Sequence, residues 1–210
     1  MMEIAILGAH GKIAQLVTKK LVKDPVTQRL FLRNTARLTA PQNGRLIEGD
    51  AENLEQVKEA IEGATIVYAN LAGKTIENQA KTIVEAMKET GVKRLIWVST
   101  LGIYDEVPGN FGIWNHQMLD GGYLETYSKA AELIENSGLD YTILRPAWLT
   151  NKTEVSYELT QKGAPFKGTE VSRESVADFI RQLILHPESH QKESLGINKP
   201  NTDGDKPAWY

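Results

Sequence analysis

Close to the start the chain reads Glu3-Ile4-Ala5-Ile6-Leu7-Gly8-Ala9-His10-Gly11-Lys12-Ile13-Ala14. Ile4–Leu7 is an uninterrupted apolar run, as expected of a strand buried on both faces of a parallel sheet, and Gly8 stands where such a strand must turn sharply. From Gly11 to Lys23 the apolar positions return at helical spacing. A strand, a glycine turn and a helix in this order aim backbone N–H groups and the positive helix end at one spot, which suits a pyrophosphate. In the pattern Gly-x-x-Gly-x-x-Ala, Gly8 makes the exit from the strand, Gly11 admits close backbone approach, and Ala14 lets the helix pack on the sheet. Ala9, His10, Lys12 and Ile13 complete this candidate loop, with Lys12 either adding charge or simply solvated.

Working outward, strand-like runs at Arg29–Leu32, Gly44–Glu48, Thr65–Asn70, Arg94–Ser99 and Tyr141–Arg145 alternate with helical patterns at Leu54–Ile61, Ile76–Thr90, Tyr123–Ser137 and Val176–Leu185. Gly91 and Gly138 end two helices, Ser172-x-x-Ser175 opens the last, and Pro187 stops it. The alternation predicts an α/β fold, a doubly wound parallel sheet of Rossmann type. Its 210 residues fit one domain, with residues 147–170 and 190–210 expected as a small C-terminal substrate-side part. Asp105–Gly122 shows no clear periodicity and reads as an irregular segment, loops of that length often being functional. The tail from Asn198 is expected to run over the surface, pinned by Trp209 and Tyr210.

An apolar fraction of 41% and a charged fraction of 24% are those of a soluble globular protein, and no run is long enough to span a bilayer. The start of the chain lacks the features of a secretory signal, which predicts a cytoplasmic location. With no cysteine and four scattered histidines, a metal centre is not expected, so redox chemistry must come from a bound cofactor. A net charge of −3 argues against a nucleic-acid partner while leaving room for a local anion pocket.

The second strand decides which dinucleotide is expected. NAD sites place an acid at that strand's end to accept from the ribose 2′-hydroxyl, whereas an arginine there accommodates a 2′-phosphate. Here the strand ends Leu32-Arg33-Asn34, with Arg37 close by, so NADP(H) is favoured over NAD(H). Gly49-Asp50-Ala51 after the third strand and Asn70-Leu71-Ala72-Gly73 after the fourth also lie at carboxyl ends, placing Asp50 near the adenine and Ala72 near the ribose, with Ala51, Asn70, Leu71 and Gly73 as further cofactor contacts.

Taken with Trp97-Val98-Ser99-Thr100, Lys129 and Asp140-Tyr141-Thr142-Ile143-Leu144-Arg145-Pro146, these motifs resemble the atypical short-chain dehydrogenase/reductases, and within them the NmrA-like and flavin-reductase-like members. The resemblance implies that Pro146, Ala147 and Trp148 flank the nicotinamide, that Ser99 and Thr100 stand at the catalytic strand end, and that Lys129 lies against the nicotinamide ribose. It also implies a tyrosine at position 125, where this chain has Glu125. Losing a positioned acid of that kind costs roughly a hundredfold to ten-thousandfold. Tyr123 and Tyr127 lie two residues to either side and are expected to point elsewhere.

The expected activity is NADPH-dependent reduction of a small flat or carbonyl-type acceptor such as a flavin or quinone, since a delocalised acceptor asks less of the protein. Tyr104 and His116, in the segment covering the nicotinamide edge, are candidate substrate contacts. A non-catalytic NADP(H)-sensing regulator acting through a protein partner is the alternative, and an epimerase a weaker third.

Overall fold

A computed structural model describes residues 2–119 and 121–210. In chain order the elements are β1 (Met2–Leu7), α1 (Lys12–Lys20), β2 (Val26–Leu32), β3 (Gly44–Glu48), α2 (Leu54–Ile61), β4 (Ile66–Ala69), α3 (Ile76–Thr90) and β5 (Arg94–Val98). There follow α4 (Gly109–Met118), α5 (Tyr123–Glu135), β6 (Asp140–Pro146), β7 (Trp148–Thr150), β8 (Glu158–Gln161), β9 (Glu170–Ser172), α6 (Arg173–Leu185) and β10 (Glu193–Asn198).

The main sheet has the order β3-β2-β1-β4-β5-β6-β10-β8, parallel except for β8, which runs antiparallel on the edge beside β10. Successive side chains of a strand face opposite sides. Ile4 and Ile6 therefore join one core with Val17 of α1 and Ile180, Leu183 and Ile184 of α6. Ala5 and Leu7 join the other, with Ile61 of α2, Ile83 and Met87 of α3, and Ile134 of α5. Helices cover both faces, so the expected doubly wound parallel sheet is present. β7 and β9 form a separate parallel pair beyond the carboxyl end of β6.

Two features differ from the sequence reading. The segment expected to be irregular, Asp105–Gly122, contains α4. Two glycines and a scattered apolar pattern hide it, but Phe111 and Trp114 are one turn apart and Trp114 packs 4.8 Å from the Trp148 ring. Tertiary contact supplies what local periodicity lacks. β10 falls in the residues assigned to the substrate-side part, yet it pairs with β6 in the main sheet, from Glu193 beside Thr142 to Ile197 beside Pro146.

A buried ion pair ties these later elements together. The guanidinium of Arg145, fully buried on β6, donates from Nη1 to the Glu106 carboxylate, whose side chain is 5% exposed. Glu106 also accepts from the amides of Gly102 (3.1 Å) and Tyr104 (3.0 Å). Arg145 donates onward to Ser194 Oγ of β10 (3.1 Å) and to the Thr160 carbonyl of β8 (3.3 Å). Each ion is thus held by several hydrogen bonds besides the pair itself, as burial of charge demands.

Candidate functional site

The strand order reverses at β1, whose neighbours are β2 and β4, and ligands of open α/β sheets collect at the carboxyl ends beside such a point. A cavity of about 470 Å³ opens there, within the range of small-molecule sites. Its floor is the glycine turn after β1. The amides of Gly8 and Ala9 both donate to the Phe31 carbonyl of β2 (3.0 and 3.1 Å), and Gly11 N–H closes on the Gly8 carbonyl (2.9 Å). Gly8 has φ +78, and a Cβ on it would lie 2.3 Å from the Asn70 carbonyl oxygen. Gly11 caps α1 without a side-chain hydrogen bond, and no acid occupies the first turn. The positive end of the helix is thus left for an anion in the cavity.

The walls come from three further strand ends. After β2, Arg33 and Arg37 are exposed and enter no ion pair among the described residues, while Asn34 Oδ1 accepts from Ala36 N–H (3.0 Å). After β3, Gly49 passes so close to Phe31 that a Cβ would meet its ring at 2.4 Å, and Asp50 Oδ1 accepts from Glu52 N–H (3.0 Å). After β4, Asn70, Leu71, Ala72 and Gly73 line the same space. Gln79 of α3, also on the wall, has a buried Oε1 with no partner among the described residues. A cradle shaped by glycines, an uncapped helix end and unpaired guanidiniums fits a dinucleotide bearing phosphates. Ala9 and Ile13 are buried beneath the loop, His10 and Ala51 border the cavity, and Lys12 turns its side chain into a neighbouring groove.

A second pocket of about 350 Å³ lies past the ends of β5 and β6, lined by Ser99, Thr100, Pro146, Ala147 and Trp148. Ser99 is 8% exposed, and its buried Oγ has no hydrogen-bond partner among the described residues. Ala147 N–H donates to the Ile197 carbonyl of β10 (3.0 Å), and Trp148 Nε1 donates to Asn115 Oδ1 of α4 (2.9 Å), so the wall is fixed by two elements the sequence reading did not contain. Trp209 closes one side, and the Trp209 and Tyr210 rings lie 6.4 and 5.7 Å from that of Trp148.

Tyr123, expected from its helix position to point elsewhere, also lines this pocket. It begins α5 and stacks on Tyr127 one turn later, at 4.3 Å. Burial and the Tyr127 contact push its phenol well above the ordinary tyrosine value, so it stays protonated. Its spacing to Tyr127 was the available signal, since i and i+4 share a helix face.

Lys129 is not in this pocket. With Glu125, Tyr104 and His116 it lines a neighbouring one of about 630 Å³, and Leu119 is common to both. His116 Nε2 lies 3.1 Å from Asp105 Oδ1. The Tyr104 hydroxyl donates to Glu135 (2.8 Å) and lies 3.0 Å from Ser194 Oγ, and burial raises its pKa. The structure therefore joins Ser99 and Thr100 with Pro146 to Trp148, and separates them from Lys129, Tyr104 and His116.

Comparison with known proteins bears on the family and the fold. Residues 8–187 match the NAD(P)H-binding family. A Rossmann-fold NAD(P)-binding family protein from Shigella flexneri is 45% identical over 99% of this chain and 98% of its own, with a TM-score of 0.86. A wide-type short-chain dehydrogenase/reductase from Veillonella parvula, solved in complex with NADP, is 31% identical over 99% of both chains, with a TM-score of 0.89. The UPF0659 protein YMR090W of Saccharomyces cerevisiae is 26% identical over 98% of this chain and 96% of that protein. The chain belongs to the NAD(P)H-binding family, among the atypical short-chain dehydrogenase/reductases, and carries its oxidoreductase fold.

Proposed function

We propose that the protein is an NADPH-dependent reductase of a flat or carbonyl-type acceptor such as a flavin or quinone. The observation that carries the reading is Ser99, a buried hydroxyl at the end of β5 without a partner among the described residues, in a pocket walled by Pro146, Ala147 and Trp148. Such a group has a desolvation cost of roughly 1–3 kcal/mol that a bound oxygen or nitrogen would offset. The cofactor, when bound, supplies a hydride. The acceptor takes it with a proton, gaining two electrons and two hydrogens, and the nicotinamide is left oxidised.

The chain's own residues hold the partners. Gly8, Gly11 and the start of α1 face the pyrophosphate, and Arg33 with Asn34 and Arg37 faces the 2′-phosphate. Asp50 and Ala51 border the adenine, and Asn70 to Gly73 border the ribose. The NADP bound to the Veillonella relative supports the phosphate assignment. Ser99 and Thr100 orient the acceptor, and the protonated Tyr123 phenol is the acid nearest to the missing tyrosine's task.

NADPH oxidation by the purified protein with FMN, menadione and simple aldehydes tests this. Turnover that falls in Ser99→Ala while NADPH still binds supports it. Binding without turnover across all three classes overturns it and selects a second reading, an NADP(H) sensor acting through a protein partner. That reading draws on Glu125, which takes the place of the usual tyrosine, and on the exposed Ile113 and Met118 of α4 (61% and 40%).

A further inference from the structure

Beside the pyrophosphate loop, a groove of about 420 Å³ runs between α1 and the start of α6, lined by Lys12, Lys19, Lys152 and Arg173 against a single acid, Glu174. Glu174 is engaged by Lys20 of α1 (2.8 Å), and Lys152 is engaged by Glu170 (2.9 Å). Lys12, Lys19 and Arg173 meet no carboxylate among the described residues. Arg173 donates from Nη1 to Asn151 Oδ1 (2.9 Å) and weakly to the Leu149 carbonyl (3.4 Å), and burial lowers its pKa, as expected of a desolvated cation without a counter-ion. In a chain of net charge −3, three cations without carboxylate partners among the described residues give this concave surface a locally positive potential.

Arg173 also lines the Ser99 pocket, so this one side chain borders both spaces. The dinucleotide cavity around Arg33 is a different space, which Arg173 does not border. We infer that the acceptor is a flat molecule carrying an anionic group, phosphate or carboxylate, with its reducible ring against Ser99 and Trp148 and its anion on Arg173, assisted by Lys12 and Lys19. This rests on the reductase reading. The guanidinium fork suits either anion, because both offer paired oxygens.

The test uses two pairs of probes that share a ring and differ in charge. FMN is compared with riboflavin, and anthraquinone-2-carboxylate with 2-(hydroxymethyl)anthraquinone. Binding to the NADP⁺-loaded protein is followed by fluorescence or absorbance, for wild type, Arg173→Met and Lys19→Met, alongside NADPH affinity for each. At least one charged probe is expected to bind about tenfold or more tightly than its neutral twin, a single charge-assisted contact being enough. The preference is expected to shrink towards one in Arg173→Met and partly in Lys19→Met. A preference in the flavin pair assigns a phosphate, and one in the anthraquinone pair a carboxylate.

Equal binding within both pairs, or a preference that both variants retain, overturns the inference while the reductase reading stands. Weaker NADPH binding in the variants with no change in probe preference also overturns it, and assigns the groove to the cofactor. If NADPH binds but no probe does, the inference fails together with the flat-acceptor part of the reading. If NADPH itself does not bind, the reductase reading fails first.

Discussion

Asn70 Nδ2 lies 2.0 Å from the place a Cβ on Gly11 would occupy, so the loop after β4 and the cap of α1 are fitted to each other with no room for a side chain. The same loop's backbone stands against Gly8, where a Cβ would meet the Asn70 carbonyl oxygen at 2.3 Å. The two substitutions differ in kind. Gly11→Ala displaces the tip of a side chain, whereas Gly8→Ala strikes backbone and adds the strain of a left-handed residue, roughly 1–2 kcal/mol. We expect Gly11→Ala to keep a near-normal melting temperature and lose about tenfold in NADPH affinity. Gly8→Ala should lower the melting temperature by several degrees as well. Thermal unfolding and nicotinamide fluorescence check both, and an unaltered affinity in Gly11→Ala would remove the loop from the cofactor site.

Arg33→Ala should weaken NADPH binding by about tenfold to a hundredfold, the worth of charge-assisted hydrogen bonds to a phosphate. NADH binding should change little, because NADH lacks the 2′-phosphate. Parallel titrations with both nucleotides measure the difference. Equal effects on both would place Arg33 outside the discriminating contact.

Breaking the Arg145–Glu106 pair from either side should destabilise the protein by about 3–5 kcal/mol, since each partner is left as an uncompensated buried group. For a chain of this size that corresponds to a fall in melting temperature of about 2–4 °C per kcal/mol. Glu106→Gln and Arg145→Met are the variants. Losses in the double variant well below the sum would show that the two groups act as a pair, whereas full additivity would contradict it.

Tyr123→Phe should slow reduction of aldehydes more than reduction of flavins, because only the carbonyl oxygen needs a positioned proton as hydride arrives. Burial raises the Tyr123 phenol, so the acid form persists above the ordinary value of 10.0 and no loss of activity through its ionisation is expected below that pH. Initial rates with both acceptor classes across pH 6 to about 10 provide the readout. Equal slowing of both classes would deny Tyr123 the role of acid.

Stability should fall at both ends of the pH scale for separable reasons. Glu3 is held below the ordinary value of 4.5 by its hydrogen bond to Arg29, and Glu193 by its hydrogen bond to His190. Their stabilisation is present above 4.5 and is lost as pH falls through the lower folded values. Tyr68, Tyr104 and Tyr157 are raised by burial, so their contribution is complete below the ordinary value of 10.0 and is lost at more alkaline pH. Urea midpoints across pH should form a plateau between these limits. Glu3→Gln should flatten the acid side, and an unchanged acid limb in that variant would reject this assignment.

What the sequence determined was the part of the protein in which local pattern and chemistry coincide. Ile4–Leu7 followed by Gly8 and Gly11 specifies strand, turn and helix within one short stretch, because only glycine satisfies the φ of +78 at Gly8 and the contact with Asn70. The apolar runs at β4, β5 and β6 announce a parallel sheet since each is covered on both faces, and Arg33 is visible because it directly follows its strand. Only the tertiary structure decided the substrate side. α4 lacks a periodic apolar stripe and exists by packing Trp114 on Trp148, and β10 takes its place through hydrogen bonds to β6, far away in the chain. Position 125 shows the same limit. A motif offset named Lys129, but the direction of α5 carries Tyr123 to Ser99 and leaves Lys129 beside Tyr104 and His116, because a pocket is made by elements that meet only after the sheet has assembled.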